Sequence, residues 1–529
     1  MSTDAGGHLR LDRTRPRNQS ICVVPFTTRA VFHPPKGKLM MMITSARRLL
    51  PAPVLFALLA LLSFAPQAPA LAQRAAGFDD SVKAFVTVDA PLVAIRNVRM
   101  VPGDGTPALE GQTIVLRNGR IEGVGASLRI PRDAHVIDGA GLTALPGLVM
   151  LHEHLFYGVD RGQEGVWGEV QPVAFPRLYL AHGLTTIRTA GSATPLLDLQ
   201  VKRAIAGGHM VGPDIDVTGP YLEGPGSWLS QAEPIETADE ARRIVAFWAA
   251  QGATSFKAYN TVSREVLAAA IDETHRHGMK ITGHLCSVTF AEAADLGIDD
   301  LEHGLLAATD FVDGKQPDTC PGYNSSAHVA GLDLASPEMQ ALIRKLVEQD
   351  VAVTSTLEVF ADLGSDFARP EALAVLADAA AARYLDTKSR LIPAAKAGKV
   401  RFDAAVKNEM AFERAFMAAG GLLVAGTDPT GAGGAIAGFG SIRQVELLVE
   451  AGFTPIEALK ISSYNGAKYL GRLDRIGTLE PGKRADIVLV RGKPDRDIAD
   501  LRNIETVFRD GIGYDSKRLV ESSRGLVGR

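Results

Sequence analysis

Apolar strand-like runs that end on metal-ligating side chains, with helix-like stretches between them, constrain this chain more than any other feature. The first run is Pro146-Gly147-Leu148-Val149-Met150-Leu151-His152-Glu153-His154. Strand side chains alternate with period two, so His152 and His154 face one side and form half of a metal site at the strand's exit. A bare His-x-His reads equally as two polar residues at a strand end, and the rest of the chain decides. Lys257 closes Ala253-Thr254-Ser255-Phe256-Lys257, and His284 closes Lys280-Ile281-Thr282-Gly283-His284. His303 closes the run through Ile298-Asp299-Asp300-Leu301-Glu302, and Asp428 closes Gly421-Leu422-Leu423-Val424-Ala425-Gly426-Thr427. This β/α alternation predicts an α/β fold. In a barrel of that kind the chemistry sits at the C-terminal ends of the strands.

Helix signals fill the gaps. Thr237-Ala238-Asp239-Glu240 is a capping box. Gly278 suits the end of a helix that starts at Ser263, and Pro337 follows Ser336 as a first-turn proline. Thr454-Pro455 opens a helix leading to Ala467, and residues 370–413, rich in Ala and charge, read as long helices. Near the front, Leu92-Val93-Ala94-Ile95 and Gln112-Thr113-Ile114-Val115-Leu116 read as strands. Asn118-Gly119 is a hairpin turn leading to Ile121. Ala485-Asp486-Ile487-Val488-Leu489-Val490 and Ile504-Glu505-Thr506-Val507-Phe508 are strands near the other end.

The chain's 529 residues, 46% hydrophobic and 22% charged, suffice for one large barrel and a small accessory domain. A net charge of -4 argues against a nucleic-acid partner. Arg47-Arg48, the apolar residues 54–64 and Ala70-Leu71-Ala72-Gln73 read as a signal peptide over residues 40–72. The apolar run is shorter than the about 20 residues a bilayer span needs, so no stable membrane span is expected after cleavage. The expected location is periplasmic or secreted. Met40, Met41 and Met42 stand just before this segment, so residues 1–39 read as a non-native or disordered extension. Cys286 and Cys320 survive cleavage, and whether they pair is open. Cys286 stands two residues past His284 and reads as a small buried residue or as a neighbour of the metals.

His152-Glu153-His154, Lys257, His284, Leu301-Glu302-His303-Gly304 and Gly426-Thr427-Asp428 together resemble the amidohydrolase superfamily, in its imidazolonepropionase-like and prolidase-like branch with two metals. The resemblance spans roughly residues 92–511. It implies a (β/α)8 TIM-like barrel over residues 146–474, beside a β-sandwich that the two ends form from residues 85–145 and 475–520. It further implies two divalent ions, Zn2+ best suited, with Lys257 carboxylated as a bridging ligand. His152, His154 and Asp428 would hold one ion and His284 and His303 the other. Asp428 would also take the proton of the attacking water. In this branch a Thr-Thr-Val-Arg-Asp-like run follows the first barrel helix; here it reads Thr185-Thr186-Ile187-Arg188-Thr189, with Thr189 where the acid stands.

The expected activity is hydrolysis of amide bonds in small substrates such as dipeptides or N-acyl amino acids. A lactonase, esterase or phosphotriesterase would use the same ligands, and a non-catalytic binding protein would be expected to have lost some of them. Tyr259, two past Lys257, is a candidate oxyanion donor or a packing residue. Arg188 is a candidate for a substrate carboxylate or a structural ion pair. Residues 221–230, with Tyr221 and Trp228, read as a mobile substrate loop. His328 is the further candidate among the remaining histidines, while His182, His209, His275 and His277 read as non-ligands. The partner expected is a small-molecule substrate, and a homo-oligomer is left open.

Overall fold

Near-continuous apolar runs become parallel strands because both faces of each strand are covered. In this computed structural model Leu148–Glu153, Leu184–Thr189 and Asp214–Asp216 pair in parallel. Thr218–Leu222 continues the third strand beyond Val217 and leads a second arc. That arc runs through Ser255–Ala258, Lys280–Gly283, Asp300–Glu302, Ala352–Ser355 and Leu423–Ala425. The last strand returns to the first: the N–H groups of Thr427 and Asp428 both donate to His152 O, at 3.0 and 2.9 Å. The residues described are 74–160, 166–227, 229–321, 326–361, 370–397, 399, 401–430 and 435–529. The segment read as a signal peptide, the residues before it and Trp228 lie outside them.

The helix signals act where they stand. Thr237 and Glu240 cap Ala238–Gln251 reciprocally, and Thr454 and Glu457 do the same for Pro455–Lys460. Arg264–Arg276 stops before Gly278, whose φ of +67° ends the helix as a side-chain-bearing residue rarely can. The segment read as long helices holds one turn, Pro370–Leu373, the long helix Asp378–Lys396 and most of Phe402–Ala418. Among the described residues no helix is long and apolar enough to cross a membrane.

The two ends of the described chain meet in one nine-stranded sheet. Leu142–Pro146 joins its halves, pairing antiparallel with Ile487–Arg491 and parallel with Leu92–Met100. Alternate residues serve two cores. Ile95, Ile114, Ala144, Ile487, Leu489 and Phe508 share the sheet's own buried cluster. Val488, Val490 and Val507 face the other way, into the barrel's core. That alternation seats the sheet against the barrel.

Two expectations change at this level. Tyr221 belongs to the strand Thr218–Leu222, in register with Lys257, because the inter-strand ladder extends further than the sequence pattern marks. It is buried rather than part of a loop. Cys286 and Cys320 form a disulfide across 34 residues, which settles what the sequence leaves open.

Candidate metal centre

All six ligand candidates lie at or just beyond strand ends on one side of the barrel. His152 is inside Leu148–Glu153 and Lys257 inside Ser255–Ala258. His284 and His303 stand one residue past their strands, and Asp428 stands three past Leu423–Ala425. His303 and Asp428 turn out of the ladder with φ of +68° and +53°. Left-handed backbone at two non-glycine residues is held only by the surrounding structure and concentrates at functional sites. Gly426 permits the close approach of the first and last strands, since a Cβ there would fall on the Cβ and backbone N of His152.

Asp428 is the hub. Its Oδ1 lies 3.1 Å from His154 Nε2 and 3.6 Å from His152 Nε2, and its Oδ2 lies 3.9 Å from His303 Nε2. Ligand atoms of His152, His303 and Asp428 all fall within 4.8 Å of one another. The His284 ring is 4.4 Å from the His303 ring, and Lys257 Nζ is 3.1 Å from His152 Nε2.

Each of three rings is pinned from behind. His152 Nδ1–H donates to Glu302 Oε2 at 2.6 Å, and His154 Nδ1–H donates to Gly191 O at 3.2 Å. His303 Nδ1 meets Thr356 Oγ1 at 2.6 Å. Occupying Nδ1 leaves the Nε2 lone pairs aimed inward, the outer-shell arrangement that orients histidine ligands. His303 Nε2 is buried with no hydrogen-bond partner among the described residues. A buried polar atom left so needs an explanation, and three nitrogens around a carboxylate suit a divalent transition metal.

Burial and charge shift these groups together. Burial, then the Lys257 charge, depresses His152 far below its usual range and His284 to about 3. Burial, then His284, does the same to His303. Neutral imidazoles are the ligating form. Lys257 is lowered by burial, which outweighs the pull of Glu302 and Asp428. Burial opposes ionisation of Asp428, but His152, His154 and Lys257 outweigh it and hold the carboxyl well below the usual range.

Of the two readings of Arg188, the structure shows the ion pair: Nε donates to Leu151 O at 2.7 Å, and one terminal nitrogen donates to Asp300 at 2.7 Å and Glu302 at 3.0 Å. A fully buried guanidinium must spend its donors on fixed acceptors, and here it braces the carboxylate behind His152. Asp300 and Glu302 build the site without being singled out by the ligand pattern. Period-two alternation in Asp300-Leu301-Glu302 puts both on one face of the strand that leads to His303, which is the signal that finds them.

Tyr221 and Tyr259 wall one side, their rings 4.8 Å apart. Tyr259 is 5.0 Å from the His284 ring, and Lys257 Nζ lies 5.6 Å from the Tyr259 ring. His328 sits on Ser326–Gly331, a helix tied to Phe402–Ala418 where Asn408 donates to Val329 O and Leu332 O. The histidines read as non-ligands meet other acceptors: His182 Leu178 O, His209 Asp79, His275 Asp299 and His277 Glu273.

A family model described as amidohydrolase family matches residues 143–512, the barrel and the returning strands. An imidazolonepropionase of Vibrio cholerae is 40% identical over 74 residues, 14% of this chain and 18% of that protein. An enamidase of Eubacterium barkeri is 25% identical over 222 residues, 39% of this chain and 53% of that protein. The chain thus matches at most about half the length of these two curated relatives. Among solved structures, a Xaa-Pro dipeptidase with bound methionine in its active site superposes with a TM-score of 0.58 at 19% identity. That match covers 80% of this chain and 100% of the dipeptidase, and it is a likeness of fold.

Proposed function

The chain belongs to the amidohydrolase family and is a metal-dependent hydrolase, and from that premise we propose that it cleaves amide bonds of small substrates, such as dipeptides or N-acyl amino acids, at a two-ion centre. His152, His154 and Asp428 would hold one ion, His284 and His303 the other, with Lys257 between them. The observation that most supports this reading is the convergence of His152, His154 and His303 Nε2 on Asp428. Once bound, two divalent ions, Zn2+ by the nitrogen-rich ligand set, would activate water near neutral pH and polarise the scissile carbonyl.

The side chains have separable tasks. Burial lowers the Lys257 pKa, which makes its amine easier to deprotonate. That amine can add CO2, forming an N–C bond and releasing a proton, to give a carbamate whose oxygens can ligate. Asp428 starts ionised, so it can accept the water's proton and return it to the leaving amine. Tyr259 stands beside His284, where its hydroxyl is the candidate donor to the developing oxyanion. Tyr221 shapes the same wall. Export is part of the proposal; the Arg47-to-Gln73 pattern and the Cys286–Cys320 pair both suit an oxidising compartment.

Sequestration of Arg188 gives weight to a second reading. A free substrate carboxylate loses its expected cation, which favours substrates blocked at that end, lactones and esters included. The test is a panel of dipeptides, N-acyl amino acids, lactones and esters, run with and without chelator. Chelator-sensitive amide cleavage is expected. Ester or lactone turnover alone would move the bond assignment to the second reading.

A further inference from the structure

A cavity of about 490 Å³ opens where the nine-stranded sheet meets the starts of the barrel strands. Asp214 on its wall begins the third strand, and Arg484 reaches Thr186 near the start of the second, at 3.1 Å. The metal-ligand candidates lie at the opposite, C-terminal ends of neighbouring barrel strands. Five arginines, Arg74, Arg120, Arg472, Arg475 and Arg484, line the cavity against two carboxylates, Asp214 and Asp510.

Three of the five are committed to structure. Arg484 pairs with Asp214 and Asp486, Arg472 with Asp214 and Asp216, and Arg74 with Asp510. Arg120 donates to Gly482 O at 2.9 Å and meets no carboxylate within ion-pair distance among the described residues. Arg475 has only its exposed chain neighbour Asp474 within that distance, at 3.8 Å, again among the described residues. Arg74 Nε is buried with no hydrogen-bond partner among the described residues. Cationic donors therefore exceed the acceptors that face them, and one donor is both buried and unspent.

Guanidinium forks match phosphate oxygens two at a time, and the volume falls in the roughly 300–1,000 Å³ range of small-molecule sites. We propose that this cavity binds the phosphate group of a phosphorylated small molecule, with Arg120 and Arg475 as its principal forks. The site is independent of the metal centre and of the bond that centre cleaves.

Isothermal titration of the metal-loaded enzyme with inorganic phosphate and with pyrophosphate tests this, with sodium chloride at matched ionic strength as control. Saturable one-to-one binding is expected. The double variant Arg120→Ala/Arg475→Ala should weaken it at least tenfold while leaving anion-free turnover and melting temperature unchanged. The corresponding double lysine variant keeps the charges without the forks and should bind with intermediate affinity. Each single alanine variant should weaken binding on its own, which covers a folding failure of the pair. Three results would overturn the proposal: no saturable phosphate binding, chloride competing equally at matched strength, or unchanged affinity in the alanine variants. The last would place the anion elsewhere, the metal centre included.

Discussion

A histidine serves a cation well only when its other nitrogen is fixed, and here Glu302, Gly191 O and Thr356 do the fixing. The hub residue is separable from them. On the proposed reading, Asp428→Asn would keep one oxygen ligand but remove the base. Turnover should fall on the order of 10²–10⁴-fold with metal content largely retained; unchanged kcat would remove Asp428 from proton transfer. A second buried acid, Asp198, gives a prediction about stability. Burial lifts it to about 7 against the pull of the Ser192 hydroxyl, which donates to Asp198 Oδ2 at 2.6 Å. Its folded pKa exceeds the unfolded value near 4, so its contribution is full below about pH 4 and is lost as pH rises through about 7. Asp198→Asn should therefore stabilise the protein at pH 8, by at most on the order of 4 kcal/mol, and little at pH 4. Denaturant melts at both values check this, and an equal effect at both would contradict it.

At the scale of elements, the site depends on strand ends being brought to one level. Register sets Tyr221 beside Lys257 and Lys257 beside Thr282, while Gly426 lets the eighth strand close on the first. These features are differently legible. The apolar runs and their terminal ligands can be read directly, because period two puts His152 and His154 on one face. Tyr221 cannot be placed from its own segment, since glycines around it mark a turn while the ladder with Ser255–Ala258 extends past that mark. The disulfide is not legible from spacing either; it depends on the segment after Gly304–Leu306 returning to the turn beyond His284. Closing a loop of 34 residues should contribute about 4 kcal/mol. Cys320→Ser should lower the melting temperature by several degrees under non-reducing conditions, and reductant should bring the parent enzyme to the same value. An unshifted melt would mean that the bond carries no stability.

Across the whole molecule, one nine-stranded sheet built from both ends of the described chain supports a barrel whose opposite ends differ in chemistry. One end gathers imidazoles around an aspartate, and the other gathers arginines. The first was visible in the sequence because its ligands close recognisable strands. The second was not, because Arg74, Arg120, Arg472, Arg475 and Arg484 converge only through the pairing of distant strands. Arg188 illustrates the same limit: a cation at a strand end reads equally as a substrate contact or a structural ion pair until Asp300 and Glu302 are seen beneath it. The central claim, that the histidine–aspartate cluster is a two-ion centre, is tested most directly by metal analysis of the purified protein and its His303→Ala variant. A two-ion centre should carry two equivalents of divalent metal per chain, with at least one lost on removing His303. Metal absent from the parent protein after reconstitution, or a content indifferent to His303→Ala, would contradict it.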